Sequence, residues 1–184
     1  MRKELTRQAI HLLLGLIIIS LLLFYGRATA LIASTILLVA GTLTGFITLK
    51  GIKLPVIYSF LKKAERAEEK KLPGKGPLTF LIGILLALSL FPSKTALGAL
   101  IVLVFGDSVS TLIGKQLGKT KLPNNKTLEG TLAGLIVSFL ALQFWFPLNV
   151  SLAVALIGML AEFLPVNDNI SIPVVSGIAL MFLI

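Results

Sequence analysis

The sequence predicts an all-α, polytopic integral membrane protein with about seven transmembrane segments and its N-terminus in the cytoplasm. Hydrophobic residues make up 56% of the 184 positions, and the mean hydropathy is +0.98. A soluble domain of this size does not bury so much apolar surface, so lipid must be the main solvent. The apolar residues fall into separate segments. The loops between these segments alternate between many charged residues and almost none, which defines two sides of the membrane.

The predicted spans differ in length. The second and fifth are long enough to cross about 30 Å of hydrocarbon as helices. The fourth, sixth and seventh are short, and such segments start in the interface, tilt little or thin the bilayer. The N-terminus has the pattern of a secretory signal with Ala28-Thr29-Ala30 at its end, but hydrophobicity resumes directly afterwards, which favours a retained first span. The seven segments are 9–25, 28–49, 78–91, 95–105, 128–146, 152–164 and 172–184.

Charge predicts the orientation. With the N-terminus inside and every segment crossing, only Arg27 and Lys94 fall outside, while the other cations and all the acids lie at or near the inner face. The basic residues that give the net charge of +9 are therefore expected to bind anionic headgroups or phosphates, and nucleic acid is not expected as a partner. The polar groups, and with them any chemistry, are predicted at the cytoplasmic surface of a multi-pass protein of the cell membrane or an endomembrane.

The chain is predicted to form one membrane-embedded domain over residues 1–184. Residues 50–77 form a cytoplasmic linker, within which 61–71 have the composition of an amphipathic interfacial helix. Residues 106–128 form a polar island between apolar segments. We expect a short helix from Asp107 to Lys119, capped by Asp107 or Ser108 and ended by Gly118.

The island has glycines, hydroxyls and lysines at helical spacing. Gly114 and Gly118 with Lys119 resemble a P-loop, but three residues separate the glycines where that motif has four, and no strand precedes them. Two interpretations of Gly114 and Gly118 remain open, phosphate approach and close helix packing. For Gly130 and Gly134 we favour packing.

Four acids, Asp107, Glu129, Glu162 and Asp168, fall on the predicted inner side next to lysine-rich loops. Each has a structural explanation alone, as an N-cap, a first-turn acid, an interfacial residue or part of an Asx turn. Together they favour a site in which carboxylates hold Mg²⁺ that binds nucleotide phosphates. The absence of cysteine excludes thiolate ligands.

The N-terminal segment carries Lys3, Arg7, His11 and Gly15 at i,i+4 spacing, which places them on one helix face. A single histidine near the start of a span is more often a packing residue than a catalyst. The stripe as a whole is predicted to bring Arg7 and His11 to headgroup level beside the acidic loops.

Three motifs together resemble the family of CTP-dependent lipid kinases, which contains dolichol kinases, phytol kinases and CTP-dependent diacylglycerol kinases, with prokaryotic members labelled cytidylyltransferase-like. The first is Arg7-Gln8 with His11 and Gly15, where the family often has Arg-Lys. The second runs from Gly106-Asp107-Ser108 to Gly118-Lys119 and on to Lys126-Thr127-Leu128-Glu129-Gly130. The third is Glu162-Phe163-Leu164-Pro165 followed by Asp168-Asn169. The resemblance spans nearly the whole chain and implies a single lipid kinase domain over residues 1–184, with a nucleotide- and metal-binding loop at 106–128.

The resemblance implies transfer of the γ-phosphoryl group of CTP to the hydroxyl of a membrane lipid alcohol, with Mg²⁺ or another divalent cation as cofactor. CTP, the lipid alcohol and the bilayer are then the partners. The catalytic residues implied are Asp107, Asp168, Arg7 and His11. The metal ligands implied are Asp107, Glu129, Glu162 and Asp168. The nucleotide-binding residues implied are Ser108, Ser110, Gly114, Gly118, Lys119, Lys121, Lys126, Thr127, Glu129, Gly130 and Asn169.

Several alternatives remain open. The acceptor is dolichol or another polyprenol, phytol or geranylgeraniol, or diacylglycerol, and the general base and oligomeric state are unassigned. One rival function is a CTP-dependent phosphatidate cytidylyltransferase, although its C-terminal signature of Asp and Gly residues around an Arg is absent. A second is a small transporter or flippase, whose polar groups are expected near the midplane rather than at one face.

Overall fold

The computed structural model describes residues 2–50 and 75–184. Helices account for nearly all of this part of the chain, and no strand occurs in it apart from an isolated bridge between Lys121 and Thr127. The prediction of an all-α fold is therefore confirmed. The helices are α1 Arg2–Tyr25, α2 Arg27–Leu49, α3 Lys75–Leu90, α4 Ser93–Ile101, α5 Ser108–Leu117, α6 Leu128–Leu142, α7 Leu148–Leu160 and α8 Asp168–Leu183.

The central element is one continuous helix, Ser93–Leu117, in which a π-helical segment, Val102–Asp107, joins α4 to α5. The predicted short helix beginning at Asp107 is therefore wrong at its start. Asp107 and Ser108 have helical backbone angles, and Asp107 makes no side-chain cap. The chain stays helical through the π segment, so the polar residues from Asp107 onward continue the preceding apolar helix. The helix does end at Gly118, as predicted.

Three helical stretches are long and apolar enough to cross a membrane: Glu4–Tyr25, Arg27–Leu49 and Ser93–Leu117. The expectation that the fourth segment, 95–105, is short was wrong, because the π segment carries this helix on to Leu117. The apolar helices that remain in the described ranges are shorter, and the number of spans stays a prediction. The expectation that the fifth segment is long was wrong, because α6 ends at Leu142. Residues 143–146 form a turn before Pro147, and proline disfavours a helical residue before it and lacks the N–H that would continue the helix.

The core lies around α4, whose residues from Thr95 onward are almost entirely buried. This helix and the π segment pack against α1, α3, α6, α7 and α8, whereas α2 contacts chiefly α1 and α3. Close approaches depend on glycine: a Cβ at Gly83 of α3 would lie 1.7 Å from the carbonyl oxygen of Asn169 at the start of α8. This contact fixes the N-terminus of α8 against α3.

The predicted linker at 50–77 falls largely on residues 51–74, which lie outside the described residues. The amphipathic helix at 61–71 therefore stays a prediction. The same is true of the cytoplasmic placement of the N-terminus.

Candidate functional site

A polar cavity of about 450 Å³ opens where α1, α5 and α8 meet the segment that joins α5 to α6. Eight of the residues that the sequence predicts for a site line it, although they come from four separate parts of the chain. The predicted residues that line it are Arg7, Asp107, Ser110, Gly114, Lys126, Thr127, Asp168 and Asn169. The further lining residues are Thr111, Lys115, Asn124, Asn125 and Asn167.

One wall is a hairpin formed by residues 118–127. The N–H of Leu122 donates to the carbonyl of Lys126 at 2.8 Å, and the N–H of Lys126 donates to the carbonyl of Pro123 at 3.2 Å. Asn124 and Asn125 both have positive φ, 57° and 58°, as the two central residues of a type I′ turn require, and asparagine tolerates this conformation. The tight turn directs Lys126 back toward the helices.

Lys126 occupies the centre of the charge distribution. Its Nζ lies 2.5 Å from Oδ2 of Asp168 and 3.6 Å from Oε1 of Glu162. Burial alone would lower the pKa of this amine, but the carboxylates of Asp107, Glu162 and Asp168 outweigh it and raise the pKa above the ordinary value. Lys126 is therefore a cation at neutral pH.

Glu162 is fully buried at the end of α7, in a single 3₁₀ turn, Ala161–Phe163. Ser110 and Thr131 donate their hydroxyls to its Oε2, at 3.1 and 3.2 Å. Asn124 donates its side-chain amide to the carbonyl of Leu164 at 3.2 Å, which ties the hairpin to this turn. The carboxylate of Glu162 is thus held behind the cavity wall, and Lys126 connects it to the cavity.

The N-terminal side of the cavity is a charge cluster on α1 and α5. Arg7 is 6% exposed and donates its Nε to Glu4 at 2.9 Å. Lys115 is ion-paired with the same carboxylate. Glu4 therefore holds two cations at the cavity, and the i,i+3 spacing of Glu4 and Arg7 on α1 makes the first of these pairs local.

The π segment determines where Asp107 points. An α-helix advances 100° per residue, so one extra residue in a turn shifts every later side chain around the axis. Asp107 is 5% exposed and faces the cavity together with Ser110, Thr111 and Gly114 of the same helix. Thr111 contacts its Oδ1 at 3.5 Å.

Two helix N-termini also border the cavity. The hydroxyl of Thr127 caps α6 by accepting the N–H of Gly130 at 3.2 Å, and Asn167 caps α8 by accepting the N–H of Asn169 at 3.1 Å. Such termini carry partial positive charge and favour anions. The alternative of an Asx turn at Asp168 is replaced by this cap at Asn167, and Asp168 is the first helical residue.

Several predicted site residues lie elsewhere. His11 is 1% exposed and stacks on Phe80 of α3, with ring centroids 4.4 Å apart. Glu129 accepts the backbone N–H groups of Lys119 and Thr120, both at 3.1 Å, so it fastens the hairpin. The remaining predicted residues outside the cavity lining are Ser108, Gly118, Lys119, Lys121, Gly130 and Glu162.

The glycines pack helices together. A Cβ at Gly130 would lie 2.9 Å from Cα of Gly114, and one at Gly134 would lie 2.7 Å from the carbonyl oxygen of Gly106. The packing interpretation is thus supported for Gly130 and Gly134. Gly114 contacts α6 and also lines the polar cavity, and its approach to a phosphate stays a prediction.

The four predicted metal ligands are not assembled into one metal site. Among residues 2–50 and 75–184, no three His, Cys, Asp or Glu side chains form a group that could hold a metal ion. Asp107 and Asp168 nevertheless share the cavity. Mg²⁺ is commonly bound by one or two carboxylates together with substrate phosphates, so this pair fits a cation that arrives with a nucleotide.

Sequence reasoning missed the hairpin asparagines and the cluster of Glu4 with Lys115. The Pro123-Asn124-Asn125 sequence is a turn signal that could have revealed the hairpin. Nothing in the sequence pairs Glu4 with Lys115, because only the packing of α1 on α5 brings them together.

Comparison with known proteins gives relatives for this chain. It is 33% identical over 178 residues to an uncharacterized protein of Methanocaldococcus jannaschii, covering 93% of this chain and 89% of that protein. The chain belongs to the same family as this archaeal protein. Over 203 residues it is 24% identical to the chloroplastic phytol kinase 1 of Arabidopsis thaliana, covering 97% of this chain. Over 140 residues it is 29% identical to the CTP-dependent diacylglycerol kinase 1 of Schizosaccharomyces pombe, covering 64% of this chain.

The chain spans 66% of the length of the phytol kinase and 63% of the diacylglycerol kinase. Both of these more distant relatives are kinases by name. No family model matches the chain, and no solved structure matches it.

Proposed function

We propose that this protein is a membrane enzyme that transfers the γ-phosphoryl group of CTP to the hydroxyl of a lipid alcohol at the cytoplasmic face. The observation that carries the proposal is the polar cavity, which combines two carboxylates with three cations at one end of apolar helices. The similarity to kinases named for phytol and for CTP-dependent phosphorylation of diacylglycerol supports the same reaction class.

Phosphoryl transfer depends mainly on positioning the reactants and neutralising charge. The cavity has residues suited to both. Arg7, Lys115 and Lys126 supply positive charge, and the N-termini of α6 and α8 add N–H dipoles. We assign the triphosphate to this cavity, with Lys126 beside the transferred group because it is the most enclosed of the three hairpin lysines.

Asp107 and Asp168 are the residues that would hold a divalent cation, which neutralises charge on the phosphate oxygens when bound. In this structure Asp168 is paired with Lys126. With a divalent cation at Asp168, the Lys126 ammonium would be free to bind the phosphates. Asp107, on the continuous central helix, would supply the second carboxylate for that cation.

The reaction forms a bond between the alcohol oxygen and the γ-phosphorus and breaks the bond from that phosphorus to the β-phosphate oxygen. CDP leaves, and the hydroxyl proton passes to a carboxylate or to water. His11 is less suited to this step than Asp107 and Asp168, since it stacks on Phe80 and does not line the cavity. We assign His11 to the packing of α1 on α3, and Lys119 and Lys121 to the outer surface.

The decisive experiment uses purified protein in detergent with Mg²⁺, a panel of lipid alcohols and phosphatidate, and CTP labelled at the γ- or the α-phosphate. Label that reaches lipid from the γ position alone supports the kinase. Label from the α position shows a cytidylyltransferase instead. Nucleotide binding without transfer in any reaction, or no binding at all, contradicts the proposal, and absent binding favours a transporter.

A further inference from the structure

An apolar groove of about 500 Å³ runs along the outer side of α6 and α7. Both helices present residues at i, i+3, i+4 and i+7 spacing to it, so each contributes one straight stripe. On α6 these residues are Leu128, Thr131, Leu132 and Leu135. On α7 and its terminal turn they are Leu156, Met159, Leu160 and Phe163.

The groove is closed at one end by the hairpin. Leu122 and Pro123 line it there, directly before the positive-φ residues of the turn. Asn124, Asn125 and Lys126 line the polar cavity. The same hairpin therefore borders both spaces, with its apolar residues on the groove and its polar residues on the cavity.

Glu162 and Thr131 connect the two spaces from inside. Thr131 lines the groove, and its hydroxyl donates to Oε2 of Glu162. Ser110 lines the polar cavity and donates to the same oxygen. The other oxygen, Oε1, is buried and accepts no hydrogen bond in the described part of the chain, with Lys126 3.6 Å away. A fully buried carboxylate thus lies between the hydrocarbon-lined groove and the charged cavity, and it is hydrogen-bonded to one residue that lines each.

We propose that this groove holds one hydrocarbon chain of the acceptor alcohol, with the hydroxyl directed past Thr131 and Glu162 toward the cavity. The inference rests on the proposed function and adds the place and direction of substrate entry. Ordinary bilayer lipid covers any exposed apolar face. A groove of ligand size that ends at a buried carboxylate suits an amphiphile with a polar head and one long chain.

The first test is direct and needs no catalysis. A long-chain isoprenoid alcohol with a photoreactive group in mid-chain is irradiated with the full-length protein in nanodiscs, and labelled residues are mapped by mass spectrometry. Labelling concentrated in residues 128–135 and 156–163, and removed by excess unlabelled alcohol, is the expected result. Competed labelling at another helix pair, or labelling that excess alcohol does not remove, overturns the proposal.

The second test uses matched variants on one helix. Leu132 is 48% exposed and lines the groove, whereas Ile136 is 54% exposed, one turn further on, and is not among its lining residues. Leu132→Trp should fill the groove and raise the apparent KM for the alcohol roughly tenfold, without changing nucleotide binding. Ile136→Trp should change neither value. Equal effects from the two substitutions, or no effect from Leu132→Trp, overturn the proposal.

The two proposals fail in different ways. If the wild-type protein transfers no phosphoryl group but the photoreactive alcohol labels the groove and is displaced, the proposed function is wrong and alcohol binding in the groove is retained. If transfer occurs and Leu132→Trp leaves it unchanged, the proposed binding in the groove is wrong and the proposed function is retained.

Discussion

Lys126 Nζ lies 2.5 Å from Oδ2 of Asp168, and this ion pair joins the hairpin after α5 to the first residue of α8. Lys126 also lies near Glu162, so one cation pairs with two acids, Glu162 in the turn after α7 and Asp168 at the start of α8. Both residues line the polar cavity. Under the proposed function a bound nucleotide and cation would rearrange this pair, so Lys126 is the first residue to substitute.

Lys126→Ala should weaken CTP binding roughly tenfold to a hundredfold, because a charge-assisted hydrogen bond to phosphate is lost. Lys121→Ala is the matched control on the same hairpin, since Lys121 is exposed and outside the cavity. It should change binding less than about fivefold. Equilibrium binding of fluorescent CTP measures both. Similar losses of CTP affinity in the two variants would contradict a specific role of Lys126 and show that the hairpin lysines attract anions in general.

The pH dependence of the protein's thermal stability should also reveal the contribution of Lys126. The pKa of Lys126 is raised above the ordinary value of 10.5, so its stabilising charge is present at neutral pH and is lost as pH rises through the raised pKa. Wild-type protein should therefore lose thermal stability in that alkaline range more steeply than Lys126→Ala. Melting curves in detergent test this, and parallel slopes for the two proteins would contradict it.

Asp107→Asn should lower kcat by a hundredfold or more, on the order of what one electrostatic contact to a transition state contributes. The fold should survive, because the amide keeps the shape of the carboxylate and Asp107 caps no helix. Turnover with γ-labelled CTP and a melting curve are the two measurements. Full activity in a folded variant would remove the central helix from the mechanism.

Asp168→Asn and Glu129→Gln separate a cation-binding role from a hairpin role. Asp168 lines the cavity, so its variant should need a higher Mg²⁺ concentration for half-maximal activity. Glu129 is occupied by the N–H groups of Lys119 and Thr120, so its variant should keep the wild-type Mg²⁺ requirement. A Mg²⁺ titration of activity compares them. A raised requirement in Glu129→Gln would restore Glu129 as a metal ligand.

Gly106→Ala should destabilise the protein by about 1–3 kcal/mol through overpacking. An added Cβ would lie 2.4 Å from Oγ of Ser138 and 2.8 Å from Sδ of Met159. Ser138→Ala removes the nearer of these atoms, so the double variant should recover part of the loss. A double-mutant cycle of thermal unfolding measures the coupling, and strict additivity would show that Ser138 is not the obstacle.

The amino-acid sequence alone predicted the apolar helices, the ends of α2 and the grouping of Asp107, Lys126 and Asp168 near one face. These follow from local quantities, since hydropathy identifies the helices and the alternation of charge between them orders the loops. The end of α5 at Gly118 was also predicted, although Gly118 has extended backbone angles (φ −64°, ψ 118°) and is required by its close approach to Thr127. The packing at Gly130 and Gly134 follows from the small size of glycine.

Only the tertiary structure decided which of these polar residues meet. His11 turns inward onto Phe80, Glu129 binds the hairpin backbone, and Glu162 lies behind the cavity wall. Gly106 of the π segment also packs closely against Ser138 of α6 and Met159 of α7, and no local sequence pattern predicts these contacts. Helical periodicity predicts a face, but the direction of that face depends on the neighbours that each helix packs against, and these contacts join residues far apart in the sequence.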